Sequence, residues 1–174
     1  MIGWIIGAVV VVAIIVFVIV TYNSLVQLRN KVKNAFAQID TQLQRRFDLI
    51  PNLVETVKGF ATHEKELLES VAASRSGYIN ASSNGEKMAM NNQLTSSLRS
   101  LFAVSENYPE LKSNTNFLQL QDELSETEDK VTYARQFYND AVTIYNNKLQ
   151  TFPNNMVAGI FGFREEELFN SVED

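Results

Sequence analysis

The sequence predicts an all-α protein, in which an N-terminal transmembrane helix is followed by an antiparallel, up-and-down bundle of three to four long helices. Four observations support this prediction. Residues 2–20 form an uncharged apolar run, and beyond it apolar residues recur at three- and four-residue steps. No segment alternates apolar and polar residues for long enough to indicate a strand. With three prolines and seven glycines, the chain contains little that would interrupt long helices.

The apolar run is long enough to cross a lipid bilayer. At ~1.5 Å per residue it spans roughly 29 Å as a helix, about the thickness of the hydrocarbon core. We therefore expect an uncleaved membrane anchor that includes Ile2, Trp4 and Val20. A cleaved signal peptide is the alternative. It fits poorly, because no cation precedes the run, the run is long for a signal core, and no Ala-x-Ala pattern follows it.

Basic residues beside the run predict its orientation. Arg29, Lys31 and Lys33 follow it within about a dozen residues, and the side richer in Lys and Arg normally stays in the cytoplasm. The sequence thus predicts a single-pass cell-membrane protein with its N-terminus outside and its bundle in the cytoplasm. The same cations would attract anionic lipid head groups.

The first amphipathic segment carries one apolar stripe with helical spacing. The stripe keeps its phase from Leu25 through Ala61 to Tyr78, across Pro51. Because proline removes a backbone donor and crowds the preceding turn, Pro51 either kinks one continuous helix or follows a reversal capped by Asp48. The unbroken phase favours the kink. The stripe begins with Leu25, Leu28, Val32, Phe36, Ile39, Leu43 and Phe47.

Punctuation residues divide the rest of the chain. A loop is predicted around residues 76–85, then a helix that Pro109 terminates, and then a long final helix capped by Ser113 or Asn114 that ends near Pro153. The predicted regions are an anchor at 1–22, a helical bundle at 23–152 and a C-terminal amphipathic tail at 153–174. The stripe of the final helix comprises Phe117, Leu120, Leu124, Val131, Ala134, Tyr138, Ala141, Tyr145 and Leu149.

Composition excludes several classes of function. The chain has no cysteine, so it has no disulfide, thiolate metal site or cysteine nucleophile. The net charge of −5 argues against nucleic-acid binding, which needs clustered cations in surplus. No catalytic constellation is present, and we expect no enzyme activity, no cofactor, no metal and no small-molecule substrate.

His63 is the only histidine. A zinc-protease helix needs a second histidine one turn later, where this chain has Leu67. A lone exposed histidine beside Lys65 could instead act as a phosphocarrier, but a surface histidine without chemistry is the simpler interpretation.

The remaining candidates are protein-contact residues. Arg45 and Arg46 would bind either an acidic partner or carboxylates of a neighbouring helix. The acidic run at residues 122–129 is typical of a solvated helix face. Phe161 and Phe163, in the apolar tail, would close the bundle end, lie in the membrane interface or receive a partner helix. Polar residues within apolar stripes predict register-fixing contacts, with self-association kept open, at Asn34, Asn116, Tyr138, Asn139, Tyr145 and Asn146.

Several long strings resemble the bacterial LemA family. They occupy residues 22–64, 107–129 and 134–153, together with the FGF string at 161–163. The departures are small, such as Phe60 where tyrosine is usual and Glu110 where aspartate is usual. The resemblance implies a single-span bacterial membrane protein with a helical bundle and no established catalytic activity.

These observations together predict a membrane-anchored, non-enzymatic helical bundle that acts as a scaffold or adaptor for envelope-associated proteins. Its expected partners are the lipid bilayer and proteins at the membrane. The alternative is a signalling component or histidine phosphocarrier that uses His63.

Overall fold

The structure, a computed structural model, describes residues 1–172, and all the regular secondary structure within them is helical. The predicted all-α class is confirmed. The helices are α1 (Ile2–Asp48), α2 (Ile50–Lys58), α3 (Lys65–Ile79), α4 (Asn84–Ser105), α5 (Pro109–Lys112), α6 (Thr115–Gln150) and α7 (Asn154–Ile160).

The chain forms two compact units. The first, the anchor unit, consists of residues 1–35 and 137–168; the second, the bundle unit, consists of residues 36–136 with the segment that begins at Phe169. Helices α1 and α6 contribute residues to both units. The predicted division at residues 22 and 152 stays a prediction.

The helical path continues past Pro51. Leu49, between α1 and α2, has right-handed helical angles (φ −76°, ψ −18°). Its N–H donates to the carbonyl of Arg46 at 3.3 Å, and its own carbonyl accepts from the N–H of Leu53 at 3.1 Å. One tightened turn therefore absorbs the proline, and the kink that the unbroken phase favours is confirmed over a reversal.

The reversal comes later, at residues 59–64, where the stripe predicted no break. The N–H groups of Phe60 and Ala61 both donate to the carbonyl of Val57, at 3.0 and 2.8 Å, which ends α2 in a tight turn. Ala61 is nevertheless buried, with 3% of its surface exposed. The apolar spacing survives while the backbone turns, and this is why the sequence pattern did not show the break.

Helices α3 and α4 pack as an antiparallel hairpin in the bundle unit. The Ser70 and Ser97 hydroxyls lie 2.8 Å apart. A Cβ built on Gly77 would approach Sδ of Met90 to 2.2 Å, so only glycine fits there without a shift of Met90. Contact positions rise along α3 as they fall along α4, as antiparallel packing requires.

Helices α1 and α2 run antiparallel to α6 in the same unit. Arg45 pairs with Glu126, and further along the path Thr56 accepts a hydrogen bond from Asn116 at 2.8 Å. Side chains cap the starts of α4 and α6: Ser83 accepts from the N–H of Glu86, and Asn114, a predicted cap, accepts from the N–H of Phe117.

The core follows the predicted stripes closely. Val142 and Thr127, outside the predicted stripe of α6, are buried as well. The buried residues of the predicted stripes include Leu25, Val32, Phe36, Ile39, Leu43, Phe47, Phe117, Leu120, Leu124, Val131, Tyr138, Tyr145 and Leu149.

Candidate interaction surfaces

The N-terminal part of α1 is an apolar helix that the other residues of the range 1–172 leave uncovered. Its most apolar 18-residue window has a mean hydropathy of 3.2 and is 0% buried. Ile2, Trp4 and Val20 are 75%, 88% and 61% exposed. A core helix of a soluble protein would be covered by other helices, whereas a helix this apolar and this exposed suits lipid as its surroundings.

An aromatic cluster lies directly after this run in the anchor unit. Tyr22 meets Phe161 edge to face with ring centroids 4.8 Å apart, and Phe163 at 5.6 Å. The Arg29 guanidinium lies over the Phe163 ring, 5.0 Å from its centroid, which is a cation–π geometry. Both phenylalanines of the FGF string therefore pack on α1 near the end of the anchor.

Gly162 makes this arrangement possible. It has φ +71°, a left-handed conformation that other residues adopt only at a cost. The N–H of Phe163 reaches back to the carbonyl of Ala158 at 3.0 Å, the bond that ends a helix in a Schellman turn. The string thus ends α7 and turns the chain so that both aromatic rings reach Tyr22.

The segment after the turn, residues 164–168, lies along α6. The side-chain amide of Asn146 makes two hydrogen bonds with the backbone of Glu166, both at 2.9 Å. It donates to the carbonyl of Glu166 and accepts from the N–H of Glu166. The Tyr138 hydroxyl donates to the carbonyl of Glu167 at 2.8 Å. Burial, with a smaller contribution from the charges of Glu166 and Glu167, raises the pKa of Tyr138 to about 12. Tyr138 and Asn146, predicted to fix register, bind this segment.

Beyond the apolar run of α1, the exposed apolar residues of the anchor unit include a group at α7 and a pair on α6. On α7 and beside it, Met156, Ile160 and Phe161 are 59%, 75% and 49% exposed. On α6, Phe137 and Ile144 are 54% and 56% exposed and lie seven residues apart, hence on one face of the helix.

In the bundle unit, both arginines beside Pro51 pair with acidic residues of α6. Arg45 lies 3.3 Å from Glu126. Arg46 is 0% exposed, and its Nη2 lies 3.5 Å from the Glu128 carboxylate. Of the two predicted roles, the structure shows contact with carboxylates of a neighbouring helix; a partner contact through the exposed Arg45 stays a proposal.

Arg46 is surrounded by polar groups from α4. Its Nη1 donates to Asn91 at 2.5 Å and to Thr95 at 3.0 Å, while Nε and Nη2 make no hydrogen bond. Burial lowers the pKa of Arg46, and the nearby Glu128 charge opposes that shift. Arg46 and Glu128 line a cavity of about 190 Å³ together with Arg99 and Arg135.

Sequence reasoning missed the partners Asn91 and Thr95. The signal was present, because both occupy positions in the phase of the apolar stripe on α4, beside Leu94 and Leu98, yet are polar. Both are buried, at 5% and 6% exposed. A polar residue in a buried phase needs a partner, and here the partner is the arginine of another helix.

His63 lies exposed in the loop before α3. Glu64, Lys65 and Glu66 lie beside it on the same surface. The negative charges of the two glutamates would oppose a phosphoryl group on the imidazole. Within residues 1–172, no group of three or more histidine or acidic side chains could hold a metal ion. In the acidic run, Glu126 pairs with Lys130 as well as with Arg45.

The geometry defines an all-helical protein with a lipid-suited N-terminal helix that continues into a helical bundle. The sequence model of the LemA family matches residues 35–174. Protein LemA of Metamycoplasma hominis is 27% identical over 152 residues, which cover 87% of this chain and 69% of that protein. Magnetosome protein MamQ 2 of Paramagnetospirillum magneticum is 25% identical over 185 residues, covering 91% of this chain and 68% of its own length.

Magnetosome protein MamQ of Magnetospirillum gryphiswaldense is 22% identical over 185 residues, with the same shares of both chains covered. Because the family match spans most of the sequence, the chain belongs to the LemA family. Members of this family are not known to be enzymes, and they are associated with membranes.

Proposed function

We propose that this protein is a membrane-anchored, non-enzymatic scaffold or adaptor for envelope-associated proteins, with its bundle in the cytoplasm. The anchor confines the bundle to the membrane plane, which raises its effective concentration for partners held in the same plane. Lys31 and Lys33 are exposed just beyond the anchor and, with Arg29, support the cytoplasmic orientation.

The observation that carries the scaffold role is the exposed apolar face of α6. Phe137 and Ile144 keep more than half of their surface exposed on a helix whose opposite face is buried. Apolar anchors seven residues apart are what an amphipathic helix of another protein, or of a second copy, recognises. A helix that only closed its own bundle would carry polar residues there.

Site-specific photocrosslinking in living cells tests this role. A photoreactive amino acid replaces Ile144 in the full-length protein, and a matched variant carries it at Thr143, which is also exposed but lies on another face of α6. Discrete adducts from position 144 that are absent from position 143 are expected, and they disappear when Phe137 is also changed to Asp. Equal labelling at both positions would contradict the scaffold role, and adducts of the protein with itself would assign the face to self-association.

Orientation is tested separately with a membrane-impermeant maleimide. The chain has no cysteine, so one introduced residue is the only target. Ser83 lies in the predicted loop, but its hydroxyl caps α4, so the exposed Ala89 is the better position. Ala89→Cys should be protected in intact cells and labelled after lysis. Labelling of intact cells would place the bundle outside.

A further inference from the structure

Helix α7 carries an exposed apolar surface in the anchor unit, close to the point where the apolar run of α1 ends. Val157 and Ala158 on α7 are buried, at 3% and 4% exposed, while Met156 and Ile160, one helical turn apart, are exposed. Residues 153–163 contain no Asp, Glu, Lys or Arg. This short helix is therefore an uncharged segment with one face against the protein and one apolar face outward.

The contact with Tyr22 fixes the depth of this segment relative to the anchor. Tyr22 follows the last residue of the run, Val20, by two positions, or roughly 3 Å along the helix axis. Its ring touches that of Phe161 at 4.8 Å. Tyrosine at such a position is typical of the membrane–water interface, so Phe161 lies at the same level.

The charged residues that follow lead away from that level. The acidic segment runs along α6 toward its N-terminal end. Glu165 is bound by Gln150, Glu166 by Asn146 and Glu167 by Tyr138. Helix α6 runs antiparallel to α1 and α2, as the contacts of Arg45 with Glu126 and of Thr56 with Asn116 show, so falling numbers on α6 lead away from the anchor. The three acids are thereby kept from anionic head groups, and the apolar face alone remains at the interface.

We propose that α7 and Phe161 insert into the interfacial layer of the bilayer beside α1 and give the protein a second membrane contact. The ligand of this surface is lipid, and Met156, Ile160 and Phe161 contact it. An apolar helix face at interface depth is buried most readily by the acyl chains and head groups already there. This inference rests on the anchor spanning the membrane, as the proposed function requires.

Depth-dependent fluorescence quenching tests the insertion. Ile160→Cys is labelled with the dye NBD in the otherwise cysteine-free full-length protein and reconstituted in phosphatidylcholine vesicles. The vesicles contain either no nitroxide, lipid with a nitroxide near the top of its acyl chain to probe position 160, or lipid with a nitroxide near the end of that chain to probe the middle of the anchor. Thr143→Cys, exposed on α6, is the matched aqueous control. Val12→Cys, within the apolar run, is the positive control for the anchor.

NBD at position 160 should emit at shorter wavelength than NBD at position 143 and be quenched several-fold more by the nitroxide lipid. Equal quenching at 160 and 143, with strong quenching at 12, would overturn the insertion while leaving the anchor intact. A blue shift at 160 without quenching by lipid would also overturn it, because a protein contact would then cover α7. No quenching at 12 would refute the anchor itself and the insertion with it.

A second variant checks the apolar face without relying on the dye position. Phe161→Ser and Ile160→Ser, combined with NBD at Met156→Cys, should reduce quenching at position 156 because less apolar surface favours the interface. Quenching unchanged by both serines would contradict the assignment of these side chains to lipid.

Discussion

The buried Arg46 makes a stability prediction that can be worked out from its contacts. Its guanidinium is fully buried and has hydrogen bonds only through Nη1, to Asn91 and Thr95. Asn91→Leu keeps the number and branching of the side-chain heavy atoms but removes the acceptor at 2.5 Å. A hydrogen bond to a charged group contributes about 1.5–3 kcal/mol to the stability of the folded state. The protein loses about this much stability when a buried charge is deprived of one such bond.

We therefore expect Asn91→Leu to lower the free energy of unfolding by about 2 kcal/mol, or roughly 5 °C in Tm for a soluble part of this size. Glu128 offsets little of the loss, because its carboxylate is 40% exposed and lies 3.5 Å from Nη2. Arg46→Met should also lower the free energy of unfolding, by about 1–3 kcal/mol, because it leaves Asn91 and Thr95 buried without the donor that they share.

The double variant separates this explanation from a simple packing defect. Without the guanidinium, Leu at position 91 meets an apolar neighbour, so Arg46→Met with Asn91→Leu should be at least as stable as Arg46→Met alone. The expected coupling between the two positions is about 2 kcal/mol.

The assay is urea unfolding of the full-length protein in detergent micelles, followed by far-ultraviolet circular dichroism. The single tryptophan, Trp4, lies in the apolar run, so its fluorescence would not report on the bundle. Additive effects of the two substitutions, or a neutral Asn91→Leu, would refute the view that Asn91 is the principal acceptor for a buried charge.

Three further predictions concern other positions. The pKa of Tyr138 is raised to about 12 from an ordinary value near 10, so its contribution to stability is complete below about pH 10 and is lost as the pH rises toward 12. This loss is at most about 2.7 kcal/mol. In Tyr138→Phe, the urea midpoint should therefore fall less steeply between pH 10 and pH 12. Gly162→Ala should lower stability by about 1 kcal/mol from backbone strain alone, since no atom lies within 4 Å of the new Cβ; an unchanged Tm would contradict this. His63→Ala should leave both folding and function in a deletion strain unchanged, whereas lost function with an intact fold would restore the phosphocarrier hypothesis.

Several features could be read from local pattern alone. The apolar run, the helical spacing of the stripes and the Asn114 cap depend on neighbours within one or two turns, so the all-α class and most of the core were predictable. The FGF string was predicted only as an apolar contact, because the left-handed turn at Gly162 has meaning only when Tyr22 is beside it.

The sequence by itself determined that this chain is helical, that its first helix suits lipid and which faces of its helices are buried. Only the tertiary structure decided that the chain reverses at residues 59–64 and not at Pro51, and that Arg46 is buried against α4. It also placed the C-terminal aromatic rings on Tyr22. The physical reason is range: helical periodicity is a local property of the backbone, whereas a reversal, a buried charge and an aromatic contact depend on residues distant in sequence.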